Sequence, residues 1–273
     1  MPFQPLNDDH AIFAAAFGIT LDKPLSAAAV NSLVKSPLDW RKELPAIELS
    51  QSVDFQINPQ TGQPVNRLTR GVDFSHKRPD GSASWQLEVM GPEIRVSTTL
   101  YTRWDPTWAK AGDILIGVTG QLVQEEKERG IGVQSVALLV TDVFSTDDDQ
   151  PDYSELFVTD GNEIPARILR RGRLWHSHTG WFADRPGGRV LNQVNVDART
   201  GTDGNSIRGL RDDQTRVVVQ HNQIFRPSGP LPFDEKEIED CLLREVPLMH
   251  IANKSILKEI LTPAMQDRIK VNT

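Results

Sequence analysis

Alternating apolar and polar positions predict strands along much of the chain. The clearest case is a hairpin in which residues 84–89 and 93–100 each place apolar side chains at every second position. Met90, Gly91 and Pro92 lie between these runs and favour a turn, because Pro cannot occupy a central strand. The other predicted strands are residues 10–21, 50–57, 133–144, 165–175, 189–197 and 216–225.

Apolar positions at helical spacing predict one long helix at residues 106–129. Asp105 is a suitable N-cap, Pro106 suits the first helical position, and Gly130 follows the last turn. The predicted apolar stripe consists of Trp108, Ala111, Leu115, Val118 and Leu122. The other predicted helices are residues 27–35, 234–246, 248–261 and a short one that begins at residues 262–263.

The order of these elements predicts an α+β fold, with a largely antiparallel sheet and helices packed on one face. Strands and helices do not alternate regularly, as they would in a doubly wound parallel sheet. Near the C-terminus, Pro247 is expected to kink or restart the helix, because Pro lacks a backbone N–H. We expect one globular unit of residues 1–273, and the element order favours two similar subdomains, residues 1–130 and 131–273.

Composition and charge narrow the class of protein. The formal net charge is -7, so the chain lacks the overall basic footprint of a nucleic-acid binding protein. The single cysteine, Cys241, cannot form an internal disulfide, which fits a reducing compartment. The first apolar run, residues 11–19, follows two Asp and a His instead of the basic segment of a signal peptide, and no apolar run reaches the roughly 20 residues that a membrane span needs. We therefore expect a cytoplasmic protein without a transmembrane segment.

The chain carries no recognisable catalytic motif, so we predict no catalytic residue and no cofactor. Phosphate-binding glycine loops, the nucleophile elbow and the zinc-binding helix motif are all missing from the sequence. His176 and His178 would share one face of a strand and could bind a metal, but only Asp184 stands nearby as a third ligand. Residues 197–205 lack the ligand spacing of a calcium loop. We predict no metal site, and keep an enzyme with an unrecognised site near His176 and His178 as a third hypothesis.

Charge is segregated in the second half of the chain. Residues 142–163 contain eight acidic side chains and no Lys or Arg, whereas residues 166–216 contain ten Arg, no Lys and five Asp. The Arg-rich block has three interpretations: it pairs with the acidic block, contacts a partner protein, or binds phosphate or nucleic acid. The candidate anion-binding residues are Arg167, Arg170, Arg171 and Arg173.

Large aromatic side chains lie among these arginines. Residues 171–189 contain Gly180 and a Pro-Gly-Gly run, which predict a loop at the surface. Because Trp and Arg are enriched at interface hot spots, we predict that this segment binds a partner protein. The predicted partner-binding residues are Arg171, Arg173, Trp175, Trp181, Phe182 and Arg185. In the alternative, Trp175 and Phe182 simply pack under their own loop.

Short segments spread nearly end to end resemble a sporadically distributed family of uncharacterised prokaryotic proteins of similar length. They are residues 12–19, 24–26, 101–104, 249–253 and 260–262. The chain departs from the family pattern at residues 137–142 and carries extra Gly and Pro between 183 and 209. The resemblance implies an α+β fold and no reaction, and its patchy distribution suits accessory or defence-related genes. It singles out His250 and Asn253, which we expect to satisfy buried backbone groups.

The leading hypothesis is a non-enzymatic binding module for a partner protein encoded in the same operon, within a small defence or toxin-linked system. The second is a phosphate or nucleic-acid binding protein that uses the Arg-rich residues 166–216, although the acidic net charge disfavours nucleic acid as a partner.

Overall fold

The computed structural model of the protein describes residues 2–7, 9–57, 64–159, 161, 163–200, 210–211, 213–229 and 231–271, except the side chains of residues 52–57 and 64–68. The fold is α+β, with a large antiparallel sheet and helices packed on one face, as the element order predicts. The strands are β1 (Gln4–Pro5), β2 (Ile12–Leu21), β3 (Ala46–Ile57), β4 (Pro64–Lys77), β5 (Ala83–Met90), β6 (Glu93–Thr98), β7 (Gly132–Thr146), β8 (Trp175–Arg185), β9 (Gly188–Thr200), β10 (Thr215–Pro227) and β11 (Leu231–Pro232). The helices are α1 (Ala27–Val34), α2 (Trp40–Glu43), α3 (Trp104–Glu126), α4 (Ala166–Leu169), α5 (Glu235–Ile260) and α6 (Pro263–Arg268).

The chain forms two compact units that are interleaved along the sequence. Unit 1 consists of Met1–Ala15, Leu138–Ile224 and Val246–Thr273, and unit 2 consists of Ala16–Ala137 and Phe225–Glu245. Within unit 1 the strand order is β2-β7-β10-β9-β8, and within unit 2 it is β3-β4-β5-β6-β2-β7. The predicted division into two similar subdomains, residues 1–130 and 131–273, stays a prediction.

The long helix α3 packs one face into the core of unit 2. Its stripe buries Ala111, Leu115, Val118 and Leu122, as the helical spacing predicts. Trp108 is half-buried, and its ring lies 5.4 Å from that of Phe17 on β2. The apolar periodicity of this segment therefore identified both the helix and the face that it buries.

The start of α3 differs from the prediction. Arg103 occupies the N-cap, with an extended backbone, and Asp105 lies inside the first helical turn. Trp104 stacks on Trp108 at 6.3 Å and lies 6.0 Å from Phe17, so aromatic packing extends the helix towards its N-terminus. The charge of Asp105 still favours the helix at this end, because it complements the helix dipole.

Residues 165–175, predicted as a strand, form α4 and a turn instead. Pro165 occupies the N-cap of α4 with an extended backbone. Gly172 has a φ of 104°, a backbone conformation that residues with a side chain rarely adopt. This conformation interrupts a strand. Arg171 and Arg173 therefore lie in the turn between α4 and β8, and the predicted strand at residues 165–175 is wrong.

The C-terminal segment forms one helix, α5, which continues through Pro247. Asp234 caps it, since its Oδ1 accepts from the backbone N–H of Lys236 at 3.0 Å. Because the helix does not restart at Pro247, its buried side passes through Met249 and Asn253, and Leu248 is left exposed. In the described residues, no helix is long and apolar enough to cross a membrane.

Candidate interaction surface

Strand β8 and strand β9 form a regular hairpin. Their pairing runs without a shift from Trp175 opposite Ala198 to Arg185 opposite Gly188. Only Pro186 and Gly187 form the turn, and Gly187 has a φ of 78°, which a glycine adopts at little cost. The segment that was predicted as a surface loop is therefore a strand, and the loop is confined to two residues.

The alternation of side chains along β8 separates the three predicted aromatic residues. Trp175 is buried in the core of unit 1, with its ring 5.1 Å from Tyr153 and 6.1 Å from Phe157. Trp181, also at an odd position, is partly buried and packs against the same core. Phe182 points to the opposite face and is 58% exposed. Trp175 and Trp181 therefore share the inner face of the hairpin, at separate places on the core of unit 1, and Phe182 lies on its solvent face.

Two arginines lie at the turn end of the hairpin. Arg185 lies on the inner face and donates from Nη2 to the carbonyl oxygen of Leu248 on α5 at 3.5 Å. Arg189 lies on the solvent face, pairs with Asp184 at 2.7 Å, and has its guanidinium 5.8 Å from the centre of the Phe182 ring. The solvent face thus presents an aromatic ring beside a cation that is available to a partner.

Part of the Arg-rich block pairs with the preceding acidic block. Arg173 contacts Asp149 at 3.1 Å and also donates to Thr215 Oγ1 at 2.7 Å. Arg211 contacts Asp147 at 2.5 Å. Internal pairing, one of the three predicted interpretations, therefore holds for these two arginines, and Arg173 is committed to the fold.

The remaining candidate anion-binding residues are exposed. Arg167 lies on α4, and Arg170 and Arg171 lie in the turn that follows it. None of the three forms an ion pair with a described residue. Of the four arginines predicted to bind an anion, these three remain available.

The histidine pair is exposed on the solvent face of β8. His176 and His178 occupy even positions and share that face, as predicted. No group of three potential metal ligands occurs among the described residues. Asp197 lies in β9 opposite His176, and the rest of the loop at residues 201–209 falls outside the described residues.

A layer of polar side chains lies buried between the sheet of unit 1 and α5. His221 on β10 is 2% exposed, and its two ring nitrogens lie 3.1 Å from Asn253 Oδ1 and 3.3 Å from Asn192 Oδ1. The Trp181 ring stacks on it at 6.2 Å. Gln223 is also buried and donates to the carbonyl oxygen of Met249 at 2.7 Å. Asn253 therefore satisfies a buried side chain, not the backbone groups that we had expected.

Burial keeps His221 neutral. Loss of solvation lowers its pKa to about 4, while the contact with Asn253 acts in the opposite direction. A neutral imidazole donates from only one ring nitrogen, so one of the two amide partners must present its NH₂ group. The layer is therefore directional, since each amide has one orientation that suits the ring.

Asp142 is a further buried titratable group of unit 1. It lies on β7 two residues before Phe144, so both point to the face that carries the core of unit 1. Strands β7 and β10 are neighbours in the sheet, and Val217 and Val219 place His221 on this same face. Burial raises the pKa of Asp142 to about 7.

Sequence reasoning missed this polar layer. Its members come from β9, β10 and α5 and meet only through the tertiary fold. A partial signal was present, because Val217, Val219, His221 and Gln223 occupy every second position and so continue the buried face of β10. Only Asn253 was singled out, through the family resemblance.

Cys241 is buried on α5, as predicted for a small core residue. Burial raises the pKa of its thiol to about 11, so the reactive thiolate is disfavoured.

No family model matches the chain, and neither a curated protein nor a solved structure matches it significantly. The family resemblance therefore stays a prediction.

Proposed function

We propose that this protein is a non-enzymatic binding module that recognises a partner protein through the solvent face of the β8–β9 hairpin. The observation that carries the proposal is Phe182, a large aromatic side chain that is 58% exposed on a regular strand. A ring held on a rigid element loses little conformational entropy on binding, which favours its use as an anchor.

The surroundings of Phe182 support a protein partner. Arg189 lies beside the ring, and its guanidinium could donate hydrogen bonds to a carboxylate of the partner. Trp181 packs beneath the strand and holds it against the core of unit 1, so the predicted residues Trp175 and Trp181 act as support and Phe182 as the contact. We further propose that the partner is encoded beside this protein, in a small defence or toxin-linked system.

The test is affinity capture from the native host, comparing wild-type protein with the Phe182→Ala variant. We expect a defined partner to be captured by the wild type and lost, or weakened at least tenfold, in the variant. The matched control is Leu49→Ala, which removes another exposed large apolar side chain, on unit 2. A partner that binds Phe182→Ala and wild type equally well, with the fold intact by circular dichroism, would overturn the proposed site.

Anion binding at Arg167, Arg170 and Arg171 is the second candidate, because all three are exposed without an ion pair among the described residues. Binding to a single-stranded oligonucleotide should be weak at physiological salt, since the whole chain is acidic, and should weaken further as salt is added. Replacing the three arginines with Ser should abolish it, whereas Arg95→Ala, which removes a paired arginine on unit 2, should not. Salt-independent binding, or binding that survives the triple replacement, rules this candidate out.

A further inference from the structure

Strand β8 is the last strand in the sheet order of unit 1, so one of its long sides pairs with β9 and the other has no neighbouring strand among the described residues. Natural sheets usually protect such an edge with Lys or Pro residues, a bulge or a short strand. β8 has 11 residues, contains no Lys or Pro, and pairs with β9 without a register shift. Helix α4 lies against β8, and Thr179 Oγ1 donates to the carbonyl oxygen of Glu163 at 3.4 Å. No described residue bonds to the backbone groups on the free side of β8, so these groups could still pair with a further strand.

The two-residue turn determines which backbone groups point outwards. Arg185 and Gly188 close the turn as a hydrogen-bonded pair, so the odd residues of β8 bond to β9. The N–H and C=O groups of the even residues then point to the free side, where they bond to no described residue. The outward residues are His176, His178, Gly180, Phe182 and Asp184.

Two exposed large apolar residues belong to β8 or directly precede it. Phe182 is 58% exposed on the solvent face of the strand, and Leu174, which directly precedes the strand, is 57% exposed. They add apolar surface beside the backbone groups of the free edge.

We propose that β8 pairs with β8 of a second copy of this chain, antiparallel and centred on Gly180, to form a two-fold symmetric homodimer. In this register, His176 of each copy lies opposite Asp184 of the other copy, and His178 of each copy lies opposite Phe182 of the other. It is the register in which all 11 residues of β8 find a partner. A shift by two residues in one direction brings Pro186, which has no N–H, into the ladder.

The sequence of β8 is complementary to itself in this register. Asp184 pairs with Arg189 of its own hairpin, but its side chain is 82% exposed, so it can also accept from the imidazole of His176 of the second copy. The smallest residue, Gly180, lies at the two-fold axis, where each strand meets its own copy. The outward groups supply about ten backbone hydrogen bonds, which is typical of a whole protein interface. The solvent faces of the two hairpins then join, so the dimer presents two copies of the Phe182 surface. The dimer does not depend on the proposed partner.

The test uses the intact chain and a pair of variants at one position. His178→Pro removes an outward N–H that β9 does not use and places the ring where the second strand would lie, whereas His178→Ala removes only the side chain. By sedimentation velocity over a range of concentrations, we expect wild type and His178→Ala to dimerise. His178→Pro should weaken the dimer by roughly a hundredfold or more.

Two further measurements keep the proposal testable if His178→Pro folds poorly. Amide hydrogen exchange should show the even residues of β8 becoming protected as concentration rises, with the odd residues protected throughout. A thiol reagent with a spacer of about 5 Å should link a His178→Cys chain to a Phe182→Cys chain, and link neither variant to itself.

Three outcomes would overturn the dimer: a chain that is monomeric at every concentration, a His178→Pro dimer of unchanged affinity, or even-residue amides that become protected only when a different protein is added. The last outcome would assign the edge to a strand of that protein. Loss of the captured partner in Phe182→Ala, with the dimer retained, would leave both proposals standing, so the two can fail separately.

Discussion

Helix α3 in unit 2 and the second half of α5 in unit 1 cover their sheets with different chemistry. α3 buries an apolar stripe, and the hydroxyl of its buried Thr119 bonds to the carbonyl of Leu115 in the same helix at 2.8 Å. α5 places Asn253 in its buried side, where the amide contacts His221 on the sheet.

The difference teaches how each helix is held in place. Apolar contact is non-directional, so the stability of the α3 layer follows the area removed from water and the quality of packing. The hydrogen bonds of Asn253, His221 and Asn192 are directional, so they favour one placement of α5 over its neighbours in rotation and translation. The stripe of α3 therefore relies on apolar packing, with one directional contact near the end of the helix, where buried Glu126 accepts from the backbone N–H of Ser26 at 2.6 Å. The second half of α5 instead makes its polar contact in the middle of its buried side, to the sheet.

The largest expected effect lies in the apolar layer. Leu115→Ala should lower the free energy of unfolding by about 2–5 kcal/mol, because it opens a cavity under α3 at a fully buried position. Urea denaturation monitored by circular dichroism would measure it. The control is Leu243→Ala, at an exposed position, which should change stability by less than about 0.5 kcal/mol. Equal effects of the two replacements would contradict the predicted role of this stripe.

The two buried groups Asp142 and His221 should make the stability of unit 1 depend on pH. The native pKa of Asp142 is about 7, above its ordinary 3.8, so its contribution to stability is complete below about pH 4 and is lost as the pH rises through 7. The native pKa of His221 is about 4, below its ordinary 6.5, so its contribution is complete above about pH 6.5 and is lost as the pH falls through 4. Between pH 4 and 6.5 the two slopes oppose each other.

If one of these groups is replaced, the free energy of unfolding should change with pH as the remaining group alone dictates. Asp142→Asn should lose up to about 1.4 kcal/mol of stability per pH unit as the pH falls from 6.5 to 4, relative to wild type. His221→Gln serves as the opposite control and should gain stability relative to wild type over the same fall. Denaturation midpoints at several pH values would test both, and parallel pH profiles for all three proteins would show that neither group titrates as described.

A somewhat smaller effect is expected from breaking the contact between α5 and the sheet. Asn253→Leu should cost about 1–3 kcal/mol, because it leaves a nitrogen of His221 buried without a partner. Ser255→Ala, at an exposed position on the same helix, is the control. In the double variant His221→Leu/Asn253→Leu the cost should be less than the sum of the single replacements; additive costs would mean that the two side chains are not coupled.

The smallest effect belongs to the surface charges. Arg211→Ala removes an ion pair with Asp147 whose arginine side chain is largely exposed. We expect a change of about 0–1 kcal/mol that shrinks as salt is added, because solvent and ions screen such pairs. Thermal denaturation at low and high salt would measure it. A loss as large as that of Leu115→Ala would contradict the expectation that this ion pair contributes less to stability than the core.

Local signals explain what could be predicted from the sequence. The stripe from Ala111 to Leu122 and Gly130 after the last turn predicted α3, since a helix is determined largely by neighbours a few residues away. The hairpin of β5 and β6 followed in the same way from alternation and a Gly-Pro turn. In both cases the residues that decide the structure are close together in the chain.

Distant contacts explain what could not be predicted. β8 contains Gly180 and many polar residues, and its strand conformation depends on pairing with β9. Because side chains alternate between the two faces of a strand, recognising this segment as a strand would have placed Trp181 and Phe182 on opposite faces. The His221 layer joins residues 29 and 32 positions apart, so no local pattern marks it. The open edge of β8 likewise follows from strand order alone.

The interleaving of the two units has a consequence for synthesis on the ribosome. Proteins whose domains follow one another along the chain can fold each domain as it emerges. Here unit 2 is complete only when Glu245 has been made, and unit 1 also needs the residues that follow it. Neither unit can reach its full set of contacts before α5 has been made, so a nascent chain truncated before α5 is complete should expose apolar surface to chaperones and proteases.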